Sequence, residues 1–406
     1  MLSALVVSMT ALAAMQAPAS PPSPRFRVVI AGQEATIGSL TSADPQGGLK
    51  LADRMDALPW DRLVSIRTLD TPVPAWPRDQ GLILTSGDRI RGAIRGGDSK
   101  GILIAPRNDA SGEPWTIPYP AIAAVWFIPA EADLNLDPKE YPWADRPGRR
   151  DALLMRNGDV LMGTLEGMTS SPPAVRWSIA EGKSELVQFA RLAAISFDPA
   201  LSRIRPAKGK TYRIVTTDGS RVTVNQWSLK DGSIKATTMA GAAWTFPVSN
   251  LVSIDVIRGP AVWLSELTPK TESQPYLGLN WQFRVDRSVK GTPLQVLTPR
   301  GVETFDRGIG THPKTTLTYT LAGKYRRFET IVGLDRQSGI GGAAIIRIRV
   351  DGKEQSVGGE ALLDRGVARE LSIDVSGAKT LTLEVDFGPR GDVRADVDWC
   401  EARLIE

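Results

Sequence analysis

Ile346-Arg347-Ile348-Arg349-Val350-Asp351-Gly352 alternates apolar and charged residues and then ends on an Asp-Gly pair. A period of two puts the isoleucines on one face of a strand and the arginines on the other, and Asp-Gly favours a hairpin turn. Leu381-Thr382-Leu383-Glu384-Val385-Asp386-Phe387 repeats this grammar. Thr315 to Thr320 and Phe328 to Val332 read as further strands, and Val262 to Pro269 as a lead-in strand. About eight short strands with turn signals and no helical period predict a β-sandwich over residues 259–406.

Upstream, one pattern recurs four times. An alternating strand, a polar turn and a second strand lead to an aromatic-Pro or Pro-aromatic step and a closing strand. The second copy runs from Leu82 through Ser86-Gly87-Asp88 and Trp115-Thr116-Ile117-Pro118 to Trp126. The third carries Asn157-Gly158, and the fourth Asp218-Gly219, both strong hairpin signals. The first copy is degenerate. The closing strands centre on Ile66, Val125, Ile195 and Ile254. The boundaries read as 25–70, 80–129, 150–198 and 210–257. Each unit is too small to bury a sufficient core alone, so neighbours should pack together. The pattern is similar to Sm-like and other small-barrel proteins. Pro129 to Arg150 and Leu201 to Lys210 read as linkers, and Gly259-Pro260 as the joint between two separate folding units. The expected class is all-β: several small antiparallel barrel-like repeats followed by a sandwich.

The amino terminus predicts export. Leu2 to Met15 is apolar or small and uncharged, and Ala17-Pro18-Ala19 offers a cleavage site, so residues 1–19 read as a signal peptide. The leader departs from the usual pattern in lacking Lys or Arg. No later run of apolar residues is long enough to span a bilayer, which predicts a protein that is secreted, periplasmic or at the cell surface. Lys and Arg number 49 against 45 Asp and Glu, net +4, and the charges are interspersed. Without a basic stripe, nucleic acid is not an expected partner. The single cysteine, Cys400, permits no intrachain disulfide.

The only histidine, His312, lies in Phe305-Asp306-Arg307-Gly308-Ile309-Gly310-Thr311-His312-Pro313. Glycine interrupts strand packing and permits positive φ, so the chain is expected to turn here and present Thr311 and His312 on a loop. His312 is then either a surface residue of a structural turn or a ligand-binding group.

The residues around it carry a family resemblance. In order they are Trp263-Leu264-Ser265-Glu266-Leu267, Gly278-Leu279-Asn280-Trp281, Asp286-Arg287-Ser288, Gly308 to His312, Tyr325-Arg326-Arg327-Phe328, Val332-Gly333-Leu334-Asp335, Val350-Asp351-Gly352-Lys353, Asp374 to Ala378 and Asp398-Trp399. This series resembles the NPCBM domain, a group of carbohydrate-binding modules that includes family 51 modules. The resemblance spans about Val262 to Glu406. It implies a galactose-binding-like jelly roll, secretion, recognition of galactose-type glycans and a structural calcium. By the same resemblance His312 matches the histidine of the family's Gly-x-Gly-x-His loop, and Asp335 the acidic end of its Val-Gly-x-Asp strand. Trp281 and Asp286 fall on the entry loop, and Asp398-Trp399 is the closing motif. Trp281 or Trp399 can stack on a pyranose, while His312, Asp286 and Arg284 can hydrogen-bond its hydroxyls. The alternative is that both tryptophans are core residues and that Asp335 and Asp398 fix loops. Ala395-Asp396 stands where many members have Asp-His.

No catalytic motif is present. A Ser-His-Asp or Cys-His arrangement has only His312 or Cys400 to draw on, and there is no zinc cluster or phosphate loop. The expected function is therefore a secreted, non-enzymatic carbohydrate-binding protein. Its partner is a glycan or cell-surface polysaccharide, with the repeats as spacer or contact units. A structural or protein-interaction protein without sugar binding, or a glycan hydrolase built on two carboxylates, are the alternatives.

Overall fold

A computed structural model describes residues 23–127, 150–180, 182–198, 200, 209–274, 281–364 and 366–406. The proposed leader 1–19, most of the 129–150 and 201–210 linkers, and Gly278-Leu279-Asn280 lie outside the described residues. Among the described residues no helix is long and apolar enough to cross a membrane. The regular structure of the described residues is strand and short 3-10 turns.

The second, third and fourth copies each build five strands. In the fourth these are Thr211–Thr216, Arg221–Lys230, Ser233–Thr238, Ala243–Pro247 and Leu251–Ile257. The first strand pairs with both the second and the last, which wraps each unit around its own apolar side chains. Hairpin glycines Gly87, Gly158 and Gly219 sit at φ 82, 90 and 87°, a conformation that Cβ-bearing residues avoid. A 3-10 turn precedes every closing strand: Trp60–Arg62, Tyr119–Ala121, Phe189–Arg191 and Val248–Asn250. The register slips once in each copy between the second and third strand positions, leaving Thr41, Arg95, Glu166 and Asn225 unpaired and exposed. Such bulges let one long strand bend around a small core.

The copies associate through their closing strands. Ile66 lies opposite Ile254, and Val125 opposite Ile195, both antiparallel. The first copy thus pairs with the fourth and the second with the third. Trp60 reaches from the first copy to the fourth, donating from Nε1 to Tyr212 Oη at 2.9 Å and packing 4.9 Å from Trp227. Trp244 Nε1 donates to Asn108 O at 2.7 Å, joining the fourth copy to the second.

Residues beyond Gly259 form two facing antiparallel sheets. One runs Arg284–Val285, Gly308–Thr311, Val397–Ile405, Arg327–Leu334, Arg369–Asp374, with Ala261–Trp263 also on Val397–Ile405. The other runs Lys270–Ser273, Thr315–Thr320, Thr380–Phe387, Ala343–Val350, Lys353–Glu354, with Leu362–Asp364 also on Ala343–Val350. Ile346 and Ile348 face a core shared with Leu383, Val385, Phe328 and Trp399. Arg347 and Arg349 face outward and pair with Glu384 on the neighbouring strand. The alternation in the sequence is this division between core and solvent.

The repeats and the sandwich share a buried seam. The segment between the first and second copies threads along it. Val73 N donates to Glu303 Oε2 at 2.9 Å, and Trp76 Nε1 to Asp306 Oδ1 at 2.7 Å. Arg221 donates from Nε to Asp306 Oδ1 at 2.8 Å and from Nη2 to Pro74 O at 2.6 Å. Further along, Arg403 Nη2 donates to Glu329 Oε2 at 2.8 Å and to Ser65 Oγ at 2.9 Å. Val73, Val215 and Val252 pack against Leu294, Phe305 and Cys400. Gly259-Pro260 marks a change of architecture, and small apolar clusters along this seam hold residues of both parts.

Candidate functional site

Gly308–Thr311 is a strand, not the exposed turn expected from its glycines. It lies between Arg284–Val285 and Val397–Ile405, and every residue in it is buried. The glycines serve close approach. A Cβ on Gly310 would lie 2.4 Å from Arg287 O and 2.5 Å from Ser288 Cα, and one on Gly308 would lie 2.3 Å from Trp399 O. Glycine is the residue that lets backbone pack directly on backbone.

After Thr311 the chain crosses from one sheet to the other through His312-Pro313-Lys314 and enters Thr315–Thr320. His312 is therefore at a corner of the sandwich and is buried, 6% exposed. Trp281 covers it, with ring centroids 5.5 Å apart and planes inclined at 21°. Phe387 meets the imidazole edge-on at 6.5 Å. His312 Nδ1 lies 3.1 Å from Pro313 O. A carbonyl only accepts, so Nδ1 carries the proton in that bond and Nε2 is the acceptor of the neutral ring. Trp281 itself is 37% exposed, so part of its indole faces solvent. Lys314 frames the corner, with Nζ 2.7 Å from Asp386 Oδ1 and 5.4 Å from the Phe387 ring centre. Arg284 is exposed and has no ion pair among the described residues.

The other candidates stand elsewhere. Asp286 is opposite Gly308 at the far end of this strand pair, four residues or about 13 Å from His312. It accepts from Gly308 N and Arg307 Nη1, both at 3.1 Å, and so clamps the strand start instead of joining the corner. Trp399 is fully buried between the sheets, its Nε1 donating to Thr311 Oγ1 at 3.2 Å, and it offers no face to a sugar. Asp335 is 1% exposed and caps the turn Arg336–Ser338 by accepting from Gln337 N at 3.0 Å. These three hold the fold together; Trp281 stacks on the buried His312 at the corner, and Arg284 is exposed on the neighbouring strand, opposite Gly310.

Asp335 belongs to a buried acidic group. Ser338 Oγ lies 2.9 Å from Asp335 Oδ2 and 2.6 Å from Asp396 Oδ2. The hydroxyl has a single proton, which these two carboxylates share. Burial, with Asp396 adding, raises Asp335 to about 6. Burial, with Asp335 adding, raises Asp398 well above the usual carboxylate range. Lys290 is the cation at the edge, 3.2 Å from Asp396 Oδ2. Asp335 accepts from Gln337 N and Ser338 Oγ, Asp396 Oδ2 from Ser338 Oγ, and Asp398 Oδ2 from Gln295 N at 2.9 Å, while Asp398 Oδ1 is buried without a hydrogen-bond partner among the described residues. Among the described residues no group of three or more His, Cys, Asp and Glu is placed to hold a metal ion.

Sequence reading missed Phe387, Lys314 and Ser338. Phe387 was findable, because it ends the apolar alternation of its strand and therefore stands at the rim of the core. Ser338 carries no local signal, since its role exists only where two acids from distant strands meet.

With this geometry in place, residues 260–405 match the model of the NPCBM/NEW2 domain. None of the curated proteins compared with the chain matches it. Among solved structures, the CBM51 module of Clostridium perfringens GH95 in complex with methyl-galactose is similar. It is 26% identical, with 36% of this chain and 99% of that chain covered and a TM-score of 0.33. The CBM51-2 and INT domains of Clostridium perfringens ZmpB, solved with GlcNAc, are 23% identical, covering 50% and 45% of the two chains with a TM-score of 0.33. The tandem CBM51 modules of the Streptococcus pneumoniae family 98 glycoside hydrolase are 14% identical, covering 63% and 87% with a TM-score of 0.32. The carboxy-terminal part of the chain, residues 260–405, is an NPCBM/NEW2 domain.

Proposed function

We propose that the chain is a non-catalytic carbohydrate-binding protein that takes its sugar at the Trp281–His312 corner. The observation that carries this reading is the half-covered indole of Trp281, braced from beneath by a buried histidine. A sugar ring has apolar C–H faces and equatorial hydroxyls. It asks for one rigid aromatic surface and a few polar groups beside it. Galactose-type glycans are the class that the NPCBM resemblance implies, and cell-surface polysaccharide is where an exported chain would meet them. Against catalysis, the one cysteine is fully buried with its thiol raised well above its usual range by burial. The one histidine lies beneath an aromatic ring.

Calorimetric titration of the full chain with galactose, galactose-ended oligosaccharides and a non-galactose control series tests the proposal. Saturable heat with the galactosides, lost in Trp281→Ala, supports it. Absence of heat with every glycan at millimolar concentration removes it and leaves the structural reading.

A further inference from the structure

A groove of about 450 Å³ opens on the second repeat, remote in sequence from the Trp281 corner and independent of it. Its floor is small: Ala93 and Ala105 lie opposite each other on strands Arg89–Gly97 and Gly101–Pro106. Its rim is basic. Arg107 N donates to Arg91 O at 2.9 Å, so these two arginines stand side by side on adjacent strands. Arg95 is the residue left over at the bulge, where pairing passes from Ile94–Ile104 to Gly96–Leu103. Bulges re-aim side chains, and this one turns Arg95 into the groove and into solvent. The other copies carry Thr41, Glu166 and Asn225 at the matching position, so the charge is specific to this unit.

The arginines are not all spent. Asp79 serves both Arg91 and Arg107, the latter only at 3.5 Å with its side chain 62% exposed. A contact this long and exposed is readily exchanged for a ligand oxygen. Arg95 has no hydrogen-bonding or ionic partner among the described residues. Glu113 lines the same groove, which leaves three guanidinium groups against two carboxylates. Arg91 and Arg95 are four residues apart on one strand, about 13 Å, too far for one small anion to bridge. No aromatic side chain lines the groove, so bases would find no stacking platform.

We propose that this groove binds an extended anionic polysaccharide through Arg95 and Arg107, whose planar forks match carboxylate or sulfate oxygens. Guanidinium groups hold such anions by paired charge-assisted hydrogen bonds. The small floor lets the sugar backbone lie close to the strands.

Affinity electrophoresis of the full chain at low salt tests this. The gels contain polygalacturonate, dextran sulfate, neutral dextran or no polymer, and a single-stranded oligonucleotide is titrated separately. Retardation by polygalacturonate or dextran sulfate, and not by neutral dextran, is expected; which of the two retards more tells carboxylate from sulfate. The Arg95→Ala/Arg107→Ala variant should weaken that retardation about tenfold or more. Both side chains are exposed, and an unchanged melting temperature verifies that the variant is folded. Arg95→Lys/Arg107→Lys should recover part of the retardation. No retardation of wild type by either anionic polymer, equal retardation of the Ala variant, or tighter binding of the oligonucleotide overturns the proposal. Neutral galactosides probe the Trp281 corner alone, so the two proposals fail separately.

Discussion

The Trp281 indole lies over the His312 imidazole, 5.5 Å between ring centres and 21° between planes, with Trp281 outermost. The order of the two rings assigns them different tasks. Trp281→Ala removes the exposed surface and should abolish or weaken glycan binding by about tenfold or more, at the scale of one aromatic contact, with little change in melting temperature. His312→Ala removes a buried ring between Trp281 and Phe387. It should destabilise by roughly 1–3 kcal/mol, and affect binding through the loss of its support for Trp281. Paired thermal melts and titrations of the two variants check this. Equal melting temperatures for both would contradict it.

Asp335 predicts a pH dependence. Burial raises its folded value to about 6, above that of an unfolded aspartate. A carboxyl raised in the folded state binds its proton more tightly there. Its contribution favours the fold below about pH 4 and is lost as pH rises from about 4 to 6. Asp335→Asn has no such proton to lose. Between pH 4 and pH 7 its stability relative to wild type should therefore improve by on the order of 2–3 kcal/mol. Urea unfolding of both proteins across this range measures it, and parallel curves would exclude the shift.

Asp306 predicts the strength of the seam. Burial opposes its charge, but Arg221 and Arg213 outweigh burial and hold its carboxyl well below the usual range. Arg221 is itself 1% exposed. Asp306→Ala would leave that guanidinium buried without its carboxylate, at a cost of about 3–5 kcal/mol. Expressing residues 259–406 alone would uncover Phe305, Glu329 and Arg403 together. We expect the fragment to be less stable than the same residues in the full chain, as read by denaturant unfolding of each. A fragment as stable as the whole would show that the seam contributes nothing.

Gly310 predicts a steric limit. Its Cβ would strike backbone atoms of Arg287 and Ser288 that no side-chain rotation can move. Gly310→Ala should lower the melting temperature sharply or prevent soluble expression. Gly167 has no atom within 4 Å of an added Cβ and no positive φ, so Gly167→Ala should be tolerated. The contrast between these two variants is the measurement.

Local chemistry was enough to read much of this molecule. Period-two alternation marks Ala343–Val350 and Thr380–Phe387 because neighbouring side chains on a strand point to opposite faces whatever the strand pairs with. Asn157-Gly158 and Asp218-Gly219 mark their hairpins because positive φ is a property of the turn residues themselves. The four closing strands could be located, each containing the residue expected near its middle, and the ordered motifs from Trp263 to Trp399 carried the family. Which closing strands meet was settled only by tertiary packing: Ile66 with Ile254 and Val125 with Ile195 is a choice among copies with nearly equal local patterns. The same holds for the two tryptophans. Trp399 is sealed between two sheets and Trp281 is half open, because burial depends on which layer covers a residue and not on the residue. Gly308 to Thr311 reads as a turn from its glycines, yet it is a buried strand, since the backbone of Arg287 and Ser288 needs the space that a side chain would fill.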